Sequence, residues 1–112
     1  MLSLYAQYLT ERTNDKIIET SYGFATYRYL NSGKTVYIID IYVKPAHRLA
    51  GNMATMADKI IEEARAAGAI ELIGTVVPSA KGSTNSLKAL LGYGMELAFA
   101  SNDLIVFRKD IV

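Results

Sequence analysis

The sequence predicts a mixed α/β (α+β) fold, a central β-sheet flanked by helices, in one domain spanning residues 1–112. Three observations predict it. Two apolar stretches, TVYIIDIYV (Thr35–Val43) and AIELIGTVV (residues 69–77), read as central strands covered on both faces. Between them Met53, Met56, Ala57, Ile60, Ile61, Ala64 and Ala67 form a helical stripe. Strand, helix, strand makes a βαβ unit, parallel and right-handed. Shorter strand-like pieces on either side complete the order α-β-β-β-α-β-α-β-β.

Each element has its own signal. Leu2, Tyr5, Tyr8 and Leu9 recur at helical spacing, so residues 2–12 read as an amphipathic helix that Asn14-Asp15 can end. KIIET and YGFATYRY are β-branched and aromatic, hence strands, with Gly23 marking a bulge or the turn between them. NSGK (residues 31–34) is a turn, which makes residues 22–43 a hairpin around Ser32-Gly33. The central helix, residues 52–67, carries Asp58, Lys59, Glu62, Glu63 and Arg65 on its wet face, and Gly68 is placed to stop it. PSAKGSTN is a loop in which Ser83, Thr84 or Asn85 can cap a short helix over SLKALLGYG. MELAFA and DLIVFRK, joined at Ser101-Asn102, read as a closing hairpin.

Composition excludes several chemistries. With no cysteine there is no disulfide, thiolate metal site or cysteine nucleophile. The single histidine, His47, excludes a multi-histidine metal site within one chain. A net charge of +1 gives no global field for nucleic acid. No apolar run is long enough for a membrane span and the start does not read as a signal peptide, so a cytoplasmic location is expected.

The most informative stretch is V-K-P-A-H-R-L-A-G-N-M, residues 43–53. A strand passes through Pro45 into a loop with Arg48 and Gly51, then directly into a helix. A helix start carries unpaired N–H groups and partial positive charge, which makes an anion site. Gly51 lets an anion approach the backbone, and Arg48 can add a cationic fork. The three-glycine dinucleotide fingerprint and the G-x-x-x-x-G-K-[ST] loop are absent, so the phosphate belongs to another ligand. The alternative is an ordinary strand-to-helix connection with a solvated Arg48.

This stretch resembles the signature of the GNAT superfamily of acyl-CoA N-acyltransferases: a strand ending in V-x-P, then Arg or Gln, two residues and Gly, leading into a helix. Val43, Pro45, Arg48 and Gly51 fall in register. DIYV is similar to strands of diamine-acetylating members, and Asn85, a short helix and Tyr93-Gly94-Met95 resemble the family's ending. The order of elements agrees over residues 17–109. The sequence departs at Leu49, where Gly is frequent, at Met53, where a small residue is usual, and at Leu90, where a Tyr often serves as general acid. Its N-terminal region is also shorter.

The resemblance implies a V-shaped splay between the two central strands, with acetyl-CoA as cofactor. Ile41, Tyr42 and Val43 pair with its pantetheine arm, the N–H groups of Arg48, Leu49, Ala50, Gly51, Asn52 and Met53 hold its pyrophosphate, and Asn85 reaches the arm or phosphates. It implies transfer of an acetyl group to a primary amine of a small molecule or protein by direct attack. The alternative is a non-catalytic binding module of the same fold. Asp40, the one acid in the central apolar run, is a candidate base if partly desolvated, or else a structural acid. Tyr42 is a candidate acid. Tyr22, Tyr27 and Tyr29 can line an acceptor pocket or simply pack. His47 and Lys81 are a candidate base and a candidate phosphate contact, or surface residues. The apolar terminal hairpin and aromatic first helix suggest a homodimer.

Overall fold

A computed structural model describes residues 3–112. Helix α1 (Leu4–Arg12) is followed by strands β1 (Lys16–Glu19), β2 (Gly23–Leu30) and β3 (Thr35–Val43), helix α2 (Asn52–Ala66), strand β4 (Glu71–Val76), helix α3 (Ser83–Gly92) and strands β5 (Glu96–Ser101) and β6 (Leu104–Asp110). The sheet has six strands in the order β1-β2-β3-β4-β6-β5. Only β3 and β4 are parallel, as the βαβ reading requires; the remaining neighbours are antiparallel.

One face of the sheet holds the main core. Met56, Ile60 and Ala64 of α2 are fully buried against Val36 of β3 and Leu72 of β4. Leu87 and Leu90 of α3 pack on the same cluster. Burying a Met, Ile or Leu side chain removes about 1.5–3 kcal/mol of exposure cost each, so this face carries most of the fold's stability. The predicted stripe of α2 holds in its middle and fails at its ends. Met53 is 40% exposed at the helix start, and Ala67 lies beyond the helix.

Helix α1 covers part of the other face. Its Ser3 side chain accepts from the Ala6 N–H at 3.0 Å, an N-terminal cap. The expected stripe is corrected here. Ala6 and Leu9 are the buried residues, whereas Tyr5 and Tyr8 are 47% and 56% exposed. Leu2 lies outside the described residues. Tyr5 instead meets Phe24 of β2 edge-on. At α3 the cap is also corrected. Gly82, with φ +81°, is the N-cap residue, no side chain caps the helix, and Ser83 bonds back to the Pro78 carbonyl.

Candidate functional site

Two features made by β3 define the site. The first is where it leaves β4. The parallel ladder runs from Thr35↔Glu71 to Tyr37↔Ile73 and stops there. Both strands continue, β3 to Val43 and β4 to Val76, each still paired on its outer side. The two central strands therefore part, and residues 38–43 present a backbone edge to a gap. Backbone groups on such an edge remain open to pairing with another extended chain.

The second feature is a β-bulge. Tyr27 pairs with Ile38 and Thr26 with Asp40, so Ile39 is the extra residue. Strict alternation along β3 would put Tyr37 and Asp40 on opposite faces. With the bulge, Tyr37, Asp40 and Tyr42 stand opposite Arg28, Thr26 and Phe24, all on the α1 side of the sheet.

Beyond Val43 the chain makes a single turn of 3₁₀ helix, Pro45–His47, then the loop that enters α2. Two residues of that loop take left-handed backbone, Leu49 at φ 62° and Gly51 at φ 80°. Gly51 is the N-cap of α2, and no side chain caps it. A Cβ placed on Gly51 meets nothing within 4 Å. The loop is braced from the side. Asn52 Nδ2 donates to the His47 carbonyl at 2.8 Å, and Thr55 Oγ1 donates to the Gly51 carbonyl at 3.0 Å. These contacts use carbonyls, so they fix the loop without consuming the amides that open the helix. The first N–H groups of a helix have no partner within it, and here the partial charge of a 15-residue helix stands behind them.

Arg48 does not reach forward as a free fork. Its Nε donates to the Val43 carbonyl at 2.7 Å, and its guanidinium lies over the Tyr42 ring, 5.5 Å from the centroid. Tyr42 also stacks on Phe24, at 5.8 Å between centroids. Arg48 thus ties the loop to the end of β3 and holds Tyr42 between a cation and an aromatic ring.

Asp40 is exposed, which corrects the expected desolvation. The strand that would have covered it, β4, has already turned away. Across from it on β2, Thr26 is 3% exposed and its Oγ1 has no hydrogen-bond partner among the described residues. Ile41 is partly buried and Val43 is buried; Leu49, Ala50 and Asn85 are exposed, and Asn52 is intermediate.

The three candidate lining tyrosines are not brought together. Tyr22 is partly buried and stacks on His47, at 6.2 Å. Tyr27 is 2% exposed, and its hydroxyl donates to Glu63 of α2 at 2.6 Å. Burial and that carboxylate push its phenol well above the usual range. Tyr29 packs edge-on against Tyr27, on the same α2 side. The face bearing Asp40 and Tyr42 instead carries Phe24 and Tyr37. Sequence patterning does not single out Tyr37, because only the bulge after it turns Asp40 and Tyr42 to its side. Its hydroxyl lies 3.0 Å from Thr75 Oγ1 of β4. Leu90, on the other face, packs towards Gly74, where an added Cβ would come within 3.2 Å of Leu90 Cδ2.

Among the described residues no group of His, Asp and Glu side chains is arranged to hold a metal.

Comparison with known proteins bears on this geometry. The model of the Acetyltransferase (GNAT) family matches residues 6–93. No curated protein matches the chain significantly. Among solved structures, a GNAT-family protein from Desulfovibrio desulfuricans superposes with a TM-score of 0.77 at 14% identity, over 95% of this chain and 76% of that one. The PaiA N-acetyltransferase of Thermoplasma acidophilum, solved with coenzyme A, gives 0.74 at 11% identity, over 91% of this chain and 64% of that one. A Bacillus subtilis acetyltransferase, also solved with CoA, gives 0.70 at 15%, over 96% and 83%. At such identities the structures share the fold. The family model covers most of the sequence, from α1 to the end of α3, and includes both the parted strands and the uncapped loop. The chain belongs to the Acetyltransferase (GNAT) family.

Proposed function

We propose that this chain is an acetyl-CoA-dependent N-acetyltransferase that delivers an acetyl group to a primary amine of a small molecule or protein. One observation carries the reading: β3 and β4 part beside a helix start that no side chain caps. A scaffold gains nothing from an open helix terminus next to an unpaired strand edge. A ligand with a diphosphate and a peptide-like arm fits both at once. The amides from Leu49 to Met53 hold the diphosphate, the Arg48 N–H being engaged with the Pro45 carbonyl at 3.3 Å, and Gly51 leaves the approach clear. Ile41 and the Val43 N–H offer backbone groups to the arm, Tyr42 between them pairs with β2, and Asn85 reaches the arm from the start of α3.

Bound acetyl-CoA supplies an activated thioester. The chain's own residues position the acceptor and handle its proton. An attacking amine must be neutral; once it has added, its nitrogen is acidic, and Asp40, a solvated carboxylate on the open face and not the desolvated base expected, takes that proton. An N–H on the free edge of β3 is available to the developing oxyanion. Tyr42, held by Phe24 and Arg48, borders the approach, and Tyr22 packs between His47 and the core. Tyr27 and Tyr29 support the sheet from behind.

One observation favours the second reading, a GNAT-like binding module without turnover. Leu90 stands where relatives often carry the acidic Tyr, and it is packed on Gly74. Calorimetry with acetyl-CoA, then acetyl transfer to a panel of amines, separates the readings. Binding with turnover supports the enzyme, and binding without turnover the module. A folded sample that binds nothing at tens of micromolar defeats both.

Two further features belong with this proposal. No helix among the described residues is long and apolar enough to cross a membrane, and a cytoplasmic location suits the cofactor. Strand β5 is one of the two edges of the sheet and is exposed along its whole length, with Leu97 60% and Phe99 55% exposed. An apolar edge is a template for pairing, and we propose a homodimer in which β5 meets its copy. Sedimentation at the mass of one chain refutes it.

A further inference from the structure

Tyr37 is the last residue of β3 that still pairs with β4. Its hydroxyl reaches Thr75, a β4 residue beyond that last pair, at 3.0 Å. The bond therefore spans the two strands where they begin to separate. It sits at the closed end of the gap, on the face that also carries Asp40. We propose that Tyr37 is the proton donor to the departing sulfur, and that Thr75 is the positioning residue that holds it. This rests on the acetyl-CoA reading above.

Length supports the placement. A pantetheine arm has the backbone length of about four residues, ~14 Å when extended. Laid along the free edge of β3 from Val43, it ends near Ile39, the bulge residue between Asp40 and Tyr37. The side chain that the family often uses from the α3 side is Leu90 here, on the opposite face. Tyr37 offers a hydroxyl on the α1 side, and the bulge at Ile39 brings Asp40 round to that same face. If Thr75 donates to the Tyr37 oxygen, the phenolic O–H is left free to point into the gap.

The protons balance. As the nitrogen–carbon bond forms and the carbon–sulfur bond breaks, Asp40 takes the proton lost by the amine and Tyr37 gives its own to sulfur. Solvent then removes one proton from Asp40 and returns one to Tyr37.

The test reads the sulfur directly and needs no acceptor. CoA labelled at the methylene beside sulfur is bound to the full chain, and the thiol is titrated by carbon NMR. A phenol donating to the thiolate holds its pKa below the usual ~8.5. Tyr37→Phe should raise the bound thiol's pKa by about one unit, a tenfold change in thiolate fraction, with CoA affinity kept within about twofold. The charged groups on the same face, Asp40, Arg28 opposite Tyr37 with its partner Asp15, and Arg48 over Tyr42, are unchanged in this variant. Thr75→Val should move the value the same way by less, and Thr75→Ser should restore it. A wild-type titration curve for Tyr37→Phe with CoA bound overturns the proposal while leaving the coenzyme reading intact. If the wild type binds no CoA, the coenzyme reading falls and this one with it. Should Tyr37→Phe not fold, the Thr75 pair decides: a wild-type thiol pKa in Thr75→Val then overturns the proposal.

Discussion

Replacing Gly51 by alanine tests the anion site against an internal control. Gly51 stands at φ +80° before α2, and Gly68 at φ +99° after it. A Cβ at either position meets nothing within 4 Å. Both substitutions therefore cost backbone strain and no clash. Left-handed backbone costs a side-chain-bearing residue about 1–2 kcal/mol, and alanine recovers about 0.4–1 kcal/mol by restricting the unfolded chain. Each variant should lose about 1 kcal/mol of stability, roughly 4 °C in melting temperature for a domain of this size. Their effects on the ligand should differ. Gly68 is at the far end of a 15-residue helix, ~22 Å away at 1.5 Å per residue. Gly51 lies where the diphosphate must approach, and a methyl there displaces it from at least one charge-assisted amide bond. Such a bond contributes about 1.5–3 kcal/mol, so Gly51→Ala should weaken acetyl-CoA at least tenfold, ~1.4 kcal/mol. Gly68→Ala should bind as the wild type. Calorimetry on both, beside thermal melts, gives the answer. Equal affinity in the two variants refutes the reasoning, because the α2 amides would then not be the anion site.

Three other outcomes follow from the same geometry. Leu49 sits at φ 62° and is fully exposed, so Leu49→Gly relieves strain without losing a contact, and urea unfolding should show a gain of up to about 1 kcal/mol. A loss would mean that the side chain has a packing role. The phenols of Tyr27 and Tyr93 are both raised, first by burial and then by hydrogen bonds to Glu63 and Asp58. Above about pH 10 the unfolded chain releases protons that the folded chain keeps. Stability is therefore full below that pH and falls as pH rises beyond it. A Tyr27→Phe, Tyr93→Phe double variant should lose most of this alkaline slope in denaturant titrations, and an unchanged slope would place its origin elsewhere. Met56→Ala empties a fully buried site in the α2 core and should cost about 2–5 kcal/mol by chemical denaturation; a loss under ~1 kcal/mol would show that the core can collapse around it.

Much of the fold was legible because its signals are local. The stripe of α2, the apolar runs of β3 and β4 and the turns at Ser32-Gly33 and Asn102 depend on residues close in sequence, and each element formed where its pattern lies. The faces were harder to read. Tyr5 and Tyr8 keep helical spacing, yet α1 packs through Ala6 and Leu9 and leaves both tyrosines to the side of the contact. Asp40 looked enclosed because its neighbours are apolar, but enclosure needs a second strand, and β4 has left by then. Tyr27 and Tyr29 looked like Tyr42 in type, and only strand pairing separates them by face.

The sequence by itself determined the family, the order of elements and the loop from Pro45 to Met53. These are set by short-range patterning, by glycine's access to left-handed backbone and by the unpaired amides of any helix start. Tertiary structure decided where β3 and β4 part, which side Asp40 faces, and that Tyr37 meets Thr75. Those facts depend on ladder pairing between residues far apart in the chain. A single extra residue, Ile39, shifts the phase of β3 by one step and so exchanges the two faces of everything after it.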